Sequence, residues 1–307
     1  MGKSTREAYG EALKELGTVN EKIVVLDADL SGSTKTSTFK KAFPDRHFNF
    51  GIAEANMVCA AAGFALSGYI PFASTFAMFG TGRAFEQVRN SVAHCNANVK
   101  LACTHAGLSV GEDGATHQSL EDVALMRELP GMTVIVPCDA AETYKAVAAA
   151  AEIEGPVYLR LSRPNTDDVT DGNSPFVPGK ANVLRDGTDA AIFANGLLVA
   201  PALKAADMLA AEGISAAVLN FHTVKPIDKE AILSYNGRVK AIVTAEEHFT
   251  EGGLGSAVAE VLAGHPGAGF DRVGVEDRFG QSGLPDQLFE EYGLTAENIA
   301  AKVKALL

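Results

Sequence analysis

The residues that could do chemistry gather in a few short stretches. In "GIAEANMVCAAAGFALSG", residues 51–68, Glu54 heads a segment that is otherwise almost entirely small and apolar. A helix of that composition is expected to be buried along its length, and a buried carboxylate must take a strong partner or hold its proton. A helix N-terminus favours the charged form and burial opposes it. Glu54 is therefore either a plain dipole-compensating acid or a group whose conflict a hydrogen-bonding ligand resolves. The second stretch is "CTHAGLSVGEDGATHQSLED", residues 103–122, which follows a strand and carries His105, Asp113 and His117 among three glycines. Such a loop either turns at the surface or gathers ligands at the carboxyl edge of a parallel sheet.

Basic and hydroxyl groups complete the set. Arg6 lies in a first helix, Arg163 follows the strand-like "PVYLRLS", and Ser33 lies in "DLSGSTKT", a turn that could offer backbone N–H groups to an anion. Each taken singly reads as an ordinary surface residue. No further cysteine or histidine completes a tetrahedral zinc set, so no metal site is expected on this chain. No Gly-x-Ser-x-Gly elbow and no Cys–His pairing supports a serine or thiol nucleophile. Gly252-Gly253-Leu254-Gly255 reads as a tight loop entering a helix rather than a dinucleotide fingerprint.

The elements that must position these groups alternate. Strands are expected at 23–29, 69–75, 100–105, 132–138 and 156–162, then at 190–196, 215–221, 239–247 and 271–277. Helices lie between them. Ser119 with Asp122, and Asp139 with Glu142, have the capping-box form, and Thr295 is an N-cap for a final amphipathic helix. Near-continuous apolar strands alternating with helices predict parallel sheets covered on both faces. Periodicity vanishes in "TDDVTDGNSPFVPG", residues 166–179. The chain is thus expected to be α/β, with two doubly wound domains at 1–165 and 180–307 joined by that linker.

Composition bounds the partners. With 307 residues, a formal charge of −12 and no basic stripe, the chain is not expected to bind nucleic acid or an anionic membrane. No apolar run reaches the ~20 residues of a membrane span, and the start has no signal-peptide pattern. The four cysteines lack CxxC spacing and lie in apolar stretches, which predicts buried free thiols and a reducing, cytoplasmic compartment.

In order, "GIAEANMVCAAAGFALSGYIPFASTFAMF", "THAGLSVGEDGATHQSLEDVALMRELPGMTVIVPCD", "LSRPN", "NFHTVKPID" and "EEHFTEGGLGSAVAE" resemble the C-terminal half of transketolases over essentially the whole chain. The resemblance implies a transferase that uses thiamine diphosphate and Mg²⁺ to move a two-carbon ketol unit between sugar phosphates, as in the pentose phosphate pathway. It implies a pyrimidine-binding domain at 1–165 and the family's C-terminal domain at 180–307. The family's pyrophosphate-binding domain, with its Gly-Asp-Gly metal motif, has no counterpart here. A split enzyme follows, whose N-terminal subunit carries the metal ligands, assembled as an α₂β₂ heterotetramer.

Carried over residue by residue, the resemblance makes Glu54 the acid that hydrogen-bonds N1′ of the aminopyrimidine. Phe76 and Phe79 become the wall on which that ring stacks, and Asp29 an acid close to the cofactor. Asp113 and His117 recognise sugar hydroxyls and the reacting oxygen, with His117 counted as catalytic beside Glu54. Arg6, Ser33, His105 and Arg163 form a substrate-phosphate clamp, which reconciles an acidic protein with phosphorylated sugars. Ala53 stands where many full-length transketolases have arginine, Pro164 where they have glutamine, and Gly80 or Gly82 where some have tyrosine. These departures fit a split subfamily and leave the exact substrate open. The alternatives are a ketolase for a modified sugar, a deoxyxylulose-phosphate synthase fragment or a 2-oxo-acid dehydrogenase β subunit, against both of which His105 speaks, and a non-catalytic assembly subunit.

Overall fold

Apolar runs and intervening helical segments fold as two α/β layers in the computed structural model, which describes residues 2–307. The first half supplies β1 (Ile23–Asp27), β2 (His47–Asn49), β3 (Ile70–Phe76), β4 (Lys100–Thr104), β5 (Thr133–Ile135) and β6 (Val157–Arg160). The second supplies β7 (Asn182–Arg185), β8 (Ala190–Ala194), β9 (Ala216–Asn220), β10 (Thr223–Lys225), β11 (Ala241–Phe249) and β12 (Gly269–Val275). One sheet runs β10-β5-β6-β4-β3-β1-β2 and the other β12-β11-β8-β9-β7.

Every strand expected from the sequence is present. β2, β7 and β10 are additional, and all three lie at sheet edges. They are short and carry polar residues, so they lack the apolar run that reveals a central strand. Two of them also correct the expectation of wholly parallel sheets, because β10 runs antiparallel to β5 and β7 antiparallel to β9. β10 belongs by sequence to the second half but pairs in the first sheet, so the two halves share a sheet edge.

Alternation along the strands feeds a core on each face. In β8, Ala190, Ile192 and Ala194 face one layer with Val199, Leu209, Ile299 and Val303, while Ala191 and Phe193 face the other with Ile232, Leu254 and Val258. In the first sheet, Tyr9, Leu13, Phe39 and Val147 cover one face, and Met57, Val58, Val123 and Met126 the other. Both are doubly wound, as expected. Residues 166–179 contain no helix or strand, and Asp139 fastens the segment through Val169 and Thr170.

Three local expectations change. The helix expected from Ser119 starts at Asp122 instead, because Ser119 pairs with Ala106 in an extended bridge and Gly107 N–H donates to its carbonyl. Asp139 does cap its helix by accepting from Glu142 N–H, but the Glu142 carboxylate turns to Cys138 N–H and Asn220. Only half of that box forms. Cys103 and Cys138 are buried, whereas Cys59, on the outer face of its helix, and Cys95, in the turn after the helical segment Val88–Ala93, are exposed. Thr295 caps the last helix as expected.

Candidate active site

The first sheet reverses its winding between β1 and β3, since β1 leads to β2 on one side and β3 leads to β4 on the other. A crevice at the carboxyl ends of the strands opens at such a point. The candidate residues stand there by construction. Asp29 and Ser33 follow β1, Phe76 ends β3, His105 follows β4 and Arg163 follows β6. Arg6 and Glu54 begin the helices Thr5–Val19 and Glu54–Leu66, which return antiparallel to the strands and so start at the same edge.

Aromatic rings form the floor. Phe76 and Phe79 lie 5.9 Å apart with only 18° between their planes, and His105 stacks on Phe76 at 3.8 Å. His117 meets Phe79 edge-on at 5.3 Å. Phe79 is carried by a π-helical turn, Met78–Arg83, a distortion that recurs at functional sites. Gly80 allows this turn to seat against β4, since a Cβ there would stand 2.5 Å from Cys103 Sγ. A side chain such as tyrosine has no room at position 80.

Glu54 is 2% exposed, and its two carboxylate oxygens both accept from Arg83 Nη1 at 3.1 Å. The Arg83 guanidinium lies 4.4 Å from the Phe79 ring centroid. Acid and aromatic wall are thus joined through one arginine. Burial of this helix is one-sided, contrary to expectation. Met57, Val58, Ala61 and Ala62 pack inward, while Ile52 just before the helix is 78% exposed and Leu66 73%. With Cys59 between them, these positions share the outer face.

The basic groups cluster around His105. Arg6 donates to the carbonyls of Arg163 and Ser33, both at 3.1 Å. Burial, then Arg6, Arg163, His117 and Lys35, push the His105 imidazole down to about 3, so it is neutral at physiological pH. Three cations facing a neutral histidine suit an incoming anion. Arg163 also donates to the Val110 carbonyl and pairs with Glu112 at 3.2 Å. Of the N–H groups in the "DLSGSTKT" turn, the one of Ser33 is taken by the Leu30 carbonyl at 2.8 Å. The Ser33 carbonyl orients Arg6.

Asp29 and His105 have positive φ, +63° and +57°, a strained backbone for non-glycine residues that concentrates at functional sites. Asn49 holds the Asp29 turn by accepting from the N–H groups of Asp29 and Gly51, both at 3.0 Å. That links the end of β1 to the approach to Glu54. Asp113 lies exposed at the end of the turn Leu108–Asp113, four residues before His117.

Beneath the loop lies an ionic cluster. Arg160 donates to Asp122 at 2.8 Å and to the Glu247 carbonyl at 2.8 Å, and Tyr158 donates to Asp122 at 2.6 Å. Glu247 in turn accepts from Ser109 N–H at 2.6 Å, so the second half pins the His105–His117 loop. Gly107 permits this approach, since its φ is +79° and a Cβ would stand 2.3 Å from the Glu247 carboxyl.

Two family profiles cover nearly the whole chain. The transketolase pyrimidine binding domain matches residues 1–168, and the transketolase C-terminal domain matches residues 179–299. The chain belongs to the transketolase family. A transketolase C-terminal section from Methanocaldococcus jannaschii is 48% identical over 307 residues, covering 98% of this chain and 95% of that protein. A 6-deoxy-6-sulfo-D-fructose transketolase subunit from a Clostridium species is 45% identical, covering 96% of this chain and 91% of its own. Human transketolase is 39% identical over 99% of this chain, which spans 49% of the human protein. Among solved structures, a split-gene transketolase described as an inactive β4 tetramer superposes with a TM-score of 0.94 at 55% identity, covering 100% of this chain and 99% of that one.

Transketolases depend on thiamine diphosphate, and the residues present fit its aminopyrimidine. A buried carboxylate whose partner is a half-exposed arginine stands beside two nearly parallel phenyl rings. A flat heterocycle bearing N–H donors finds there both an acceptor and an apolar face. Sequence reasoning about this transketolase-family site missed Arg83, Lys35, Asn49 and Glu247. Lys35 could have been found, since it follows Ser33 by two residues in the same turn. Asn49 and Glu247 carry no local signal, because their roles depend on contacts 20 and 138 residues away.

Proposed function

We propose that this chain is the C-terminal subunit of a split transketolase, active with an N-terminal subunit that carries the pyrophosphate-binding domain. Residues 1–165 form the pyrimidine-binding domain, 166–179 the linker and 180–307 the C-terminal domain. The observation that carries the reading is the joint placement of Glu54, the Phe76–Phe79 wall and the Arg6–His105–Arg163 cluster at one switch point. A relative of matching length described as a transketolase C-terminal section supports the division into two chains.

Thiamine diphosphate, when bound, supplies the electron sink for the two-carbon unit. Glu54 binds the pyrimidine through its carboxyl, and Phe76 and Phe79 orient the ring and exclude water from that contact. His117 and Asp113 hold hydroxyl groups of the sugar, and His117 moves a proton at the reacting oxygen. Arg6, Lys35 and Arg163 hold the terminal phosphate, with neutral His105 as a further hydrogen-bonding group. Asp29 faces the cofactor from the end of β1. Mg²⁺ and its ligands belong to the partner subunit. The exposed face containing Ile52, Cys59 and Leu66 docks another chain, giving an α₂β₂ assembly. Four unpaired thiols suit the cytoplasm.

A second reading has a specific basis. One relative, 45% identical, is a transketolase subunit for 6-deoxy-6-sulfo-D-fructose. A sulfonate would meet the same three cations with one charge fewer. The test is reconstitution with the N-terminal subunit, thiamine diphosphate and Mg²⁺. Xylulose 5-phosphate and 6-deoxy-6-sulfofructose serve as alternative donors, ribose 5-phosphate as acceptor and pyruvate as control. Ketol transfer from xylulose 5-phosphate supports the leading reading. Transfer only from the sulfosugar supports the second, and pyruvate turnover without ketol transfer overturns both.

A further inference from the structure

We propose that Arg83 is a positioning residue that stands in for the aminopyrimidine: its guanidinium keeps Glu54 paired on the Phe79 ring and is exchanged for the cofactor's ring on binding. The inference rests on the reading that Glu54, Phe76 and Phe79 form the pyrimidine half of the site.

The chemistry of the two groups matches. A guanidinium is flat, carries N–H donors, and stacks on aromatic faces, as an aminopyrimidine does. Arg83 does all three at this spot, with Nη1 on both oxygens of Glu54 and its guanidinium carbon 4.4 Å from the Phe79 centroid. Among the described residues, every side-chain hydrogen bond to the Glu54 carboxylate comes from Arg83. One carboxylate and one ring face cannot serve two flat donors together.

The contact is also built to be exchanged. Arg83 is 51% exposed, so half of it already meets water. Only Nη1 is engaged, rather than the two-nitrogen fork that makes arginine–carboxylate pairs strong. The residue ends a π-helical turn, and a Cβ at neighbouring Gly82 would find only the Met78 sulfur at 3.5 Å. Its Arg83 end is therefore uncrowded, while its Gly80 end stays seated against β4. Without Arg83, the cofactor-free chain would bury an unpaired carboxylate.

The sign of the effect separates this role from a merely structural one. A structural ion pair, once removed, loosens the site and weakens cofactor binding. A stand-in, once removed, frees the site and tightens it. The experiment titrates thiamine diphosphate with Mg²⁺ into the complex with the N-terminal subunit by calorimetry, using wild type, Arg83→Met and Arg83→Lys. Methionine keeps an apolar stem over Phe79, and lysine keeps the charge without the flat face.

Arg83→Met is expected to lower the cofactor Kd about 10-fold, with Arg83→Lys in between. The thermal midpoint of the cofactor-free complex should fall in Arg83→Met, and saturating cofactor should restore it to the wild-type value. An unchanged or raised Kd in both variants overturns the proposal. Glu54→Ala in the same titration tests the underlying reading separately. Wild-type affinity in that variant, or no cofactor binding by the wild-type complex, overturns that reading and the role of Arg83 with it.

Discussion

Replacing Arg160 with methionine would remove a cation from between two buried acids. Arg160 donates to Asp122 at 2.8 Å and lies 3.9 Å from the Glu247 carboxylate, and both acids are almost wholly buried. Methionine fills similar space but leaves these charges without their counterion. A pair broken in this way costs about 3–5 kcal/mol, a large share of the stability of an ordinary domain. The deficit should also depend on pH. Burial pushes the Glu247 carboxyl up to about 7, and Arg160 opposes that rise. Without Arg160 the folded value climbs further. An acid raised in the folded state contributes stability that is present below its unfolded value and lost as pH rises through the folded one. The variant should therefore trail wild type most at pH 8 and less at pH 5. Urea unfolding followed by far-ultraviolet circular dichroism reads both quantities, since the chain has no tryptophan to report by fluorescence. A deficit under about 1 kcal/mol, or one equal at both pH values, would refute this account of the cluster.

Three further outcomes can be checked independently. Arg163→Ala should raise KM for phosphorylated substrates about 10-fold with a smaller change in kcat, and an unchanged KM removes Arg163 from the anion clamp. His105 is held neutral, its folded value about 3 lying below the usual 6.5, so its contribution is present above 6.5 and lost as pH falls. Wild type should lose about 2 kcal/mol from this group between pH 6.5 and 5, and His105→Asn should flatten that slope; parallel pH profiles would contradict it. Ile52→Asp with Leu66→Asp should weaken subunit association at least ~10-fold by analytical ultracentrifugation while the chain stays folded, and normal assembly would show that this face is not an interface.

The architecture was legible because central strands advertise themselves. Runs such as "IVVLD" and "AAIFA" bury both faces, whereas edge strands like Thr223–Lys225 need a partner to exist at all. Candidate residues were legible where a motif held them in one stretch, as with His105, Asp113 and His117. What was not legible came from distance. Asp122 reads as a capping acid, yet Tyr158 and Arg160 claim its carboxylate from β6, 36 and 38 residues away. Ser119 read as a cap until the Ala106 bridge drew it into extended chain. Arg83 carries no local signal, because an arginine after a glycine turn is no oddity. Its meaning lies in Glu54, 29 positions earlier.

As proposed, Glu54 is half of a cofactor site completed by another chain. The most direct test of this is the rate at which the C2 proton of thiamine diphosphate exchanges with deuterium in the reconstituted complex, followed by proton NMR. The wild-type complex should accelerate exchange far beyond free cofactor, while Glu54→Ala should lose most of that acceleration and remain folded by circular dichroism. Equal acceleration by Glu54→Ala and wild type would contradict the account.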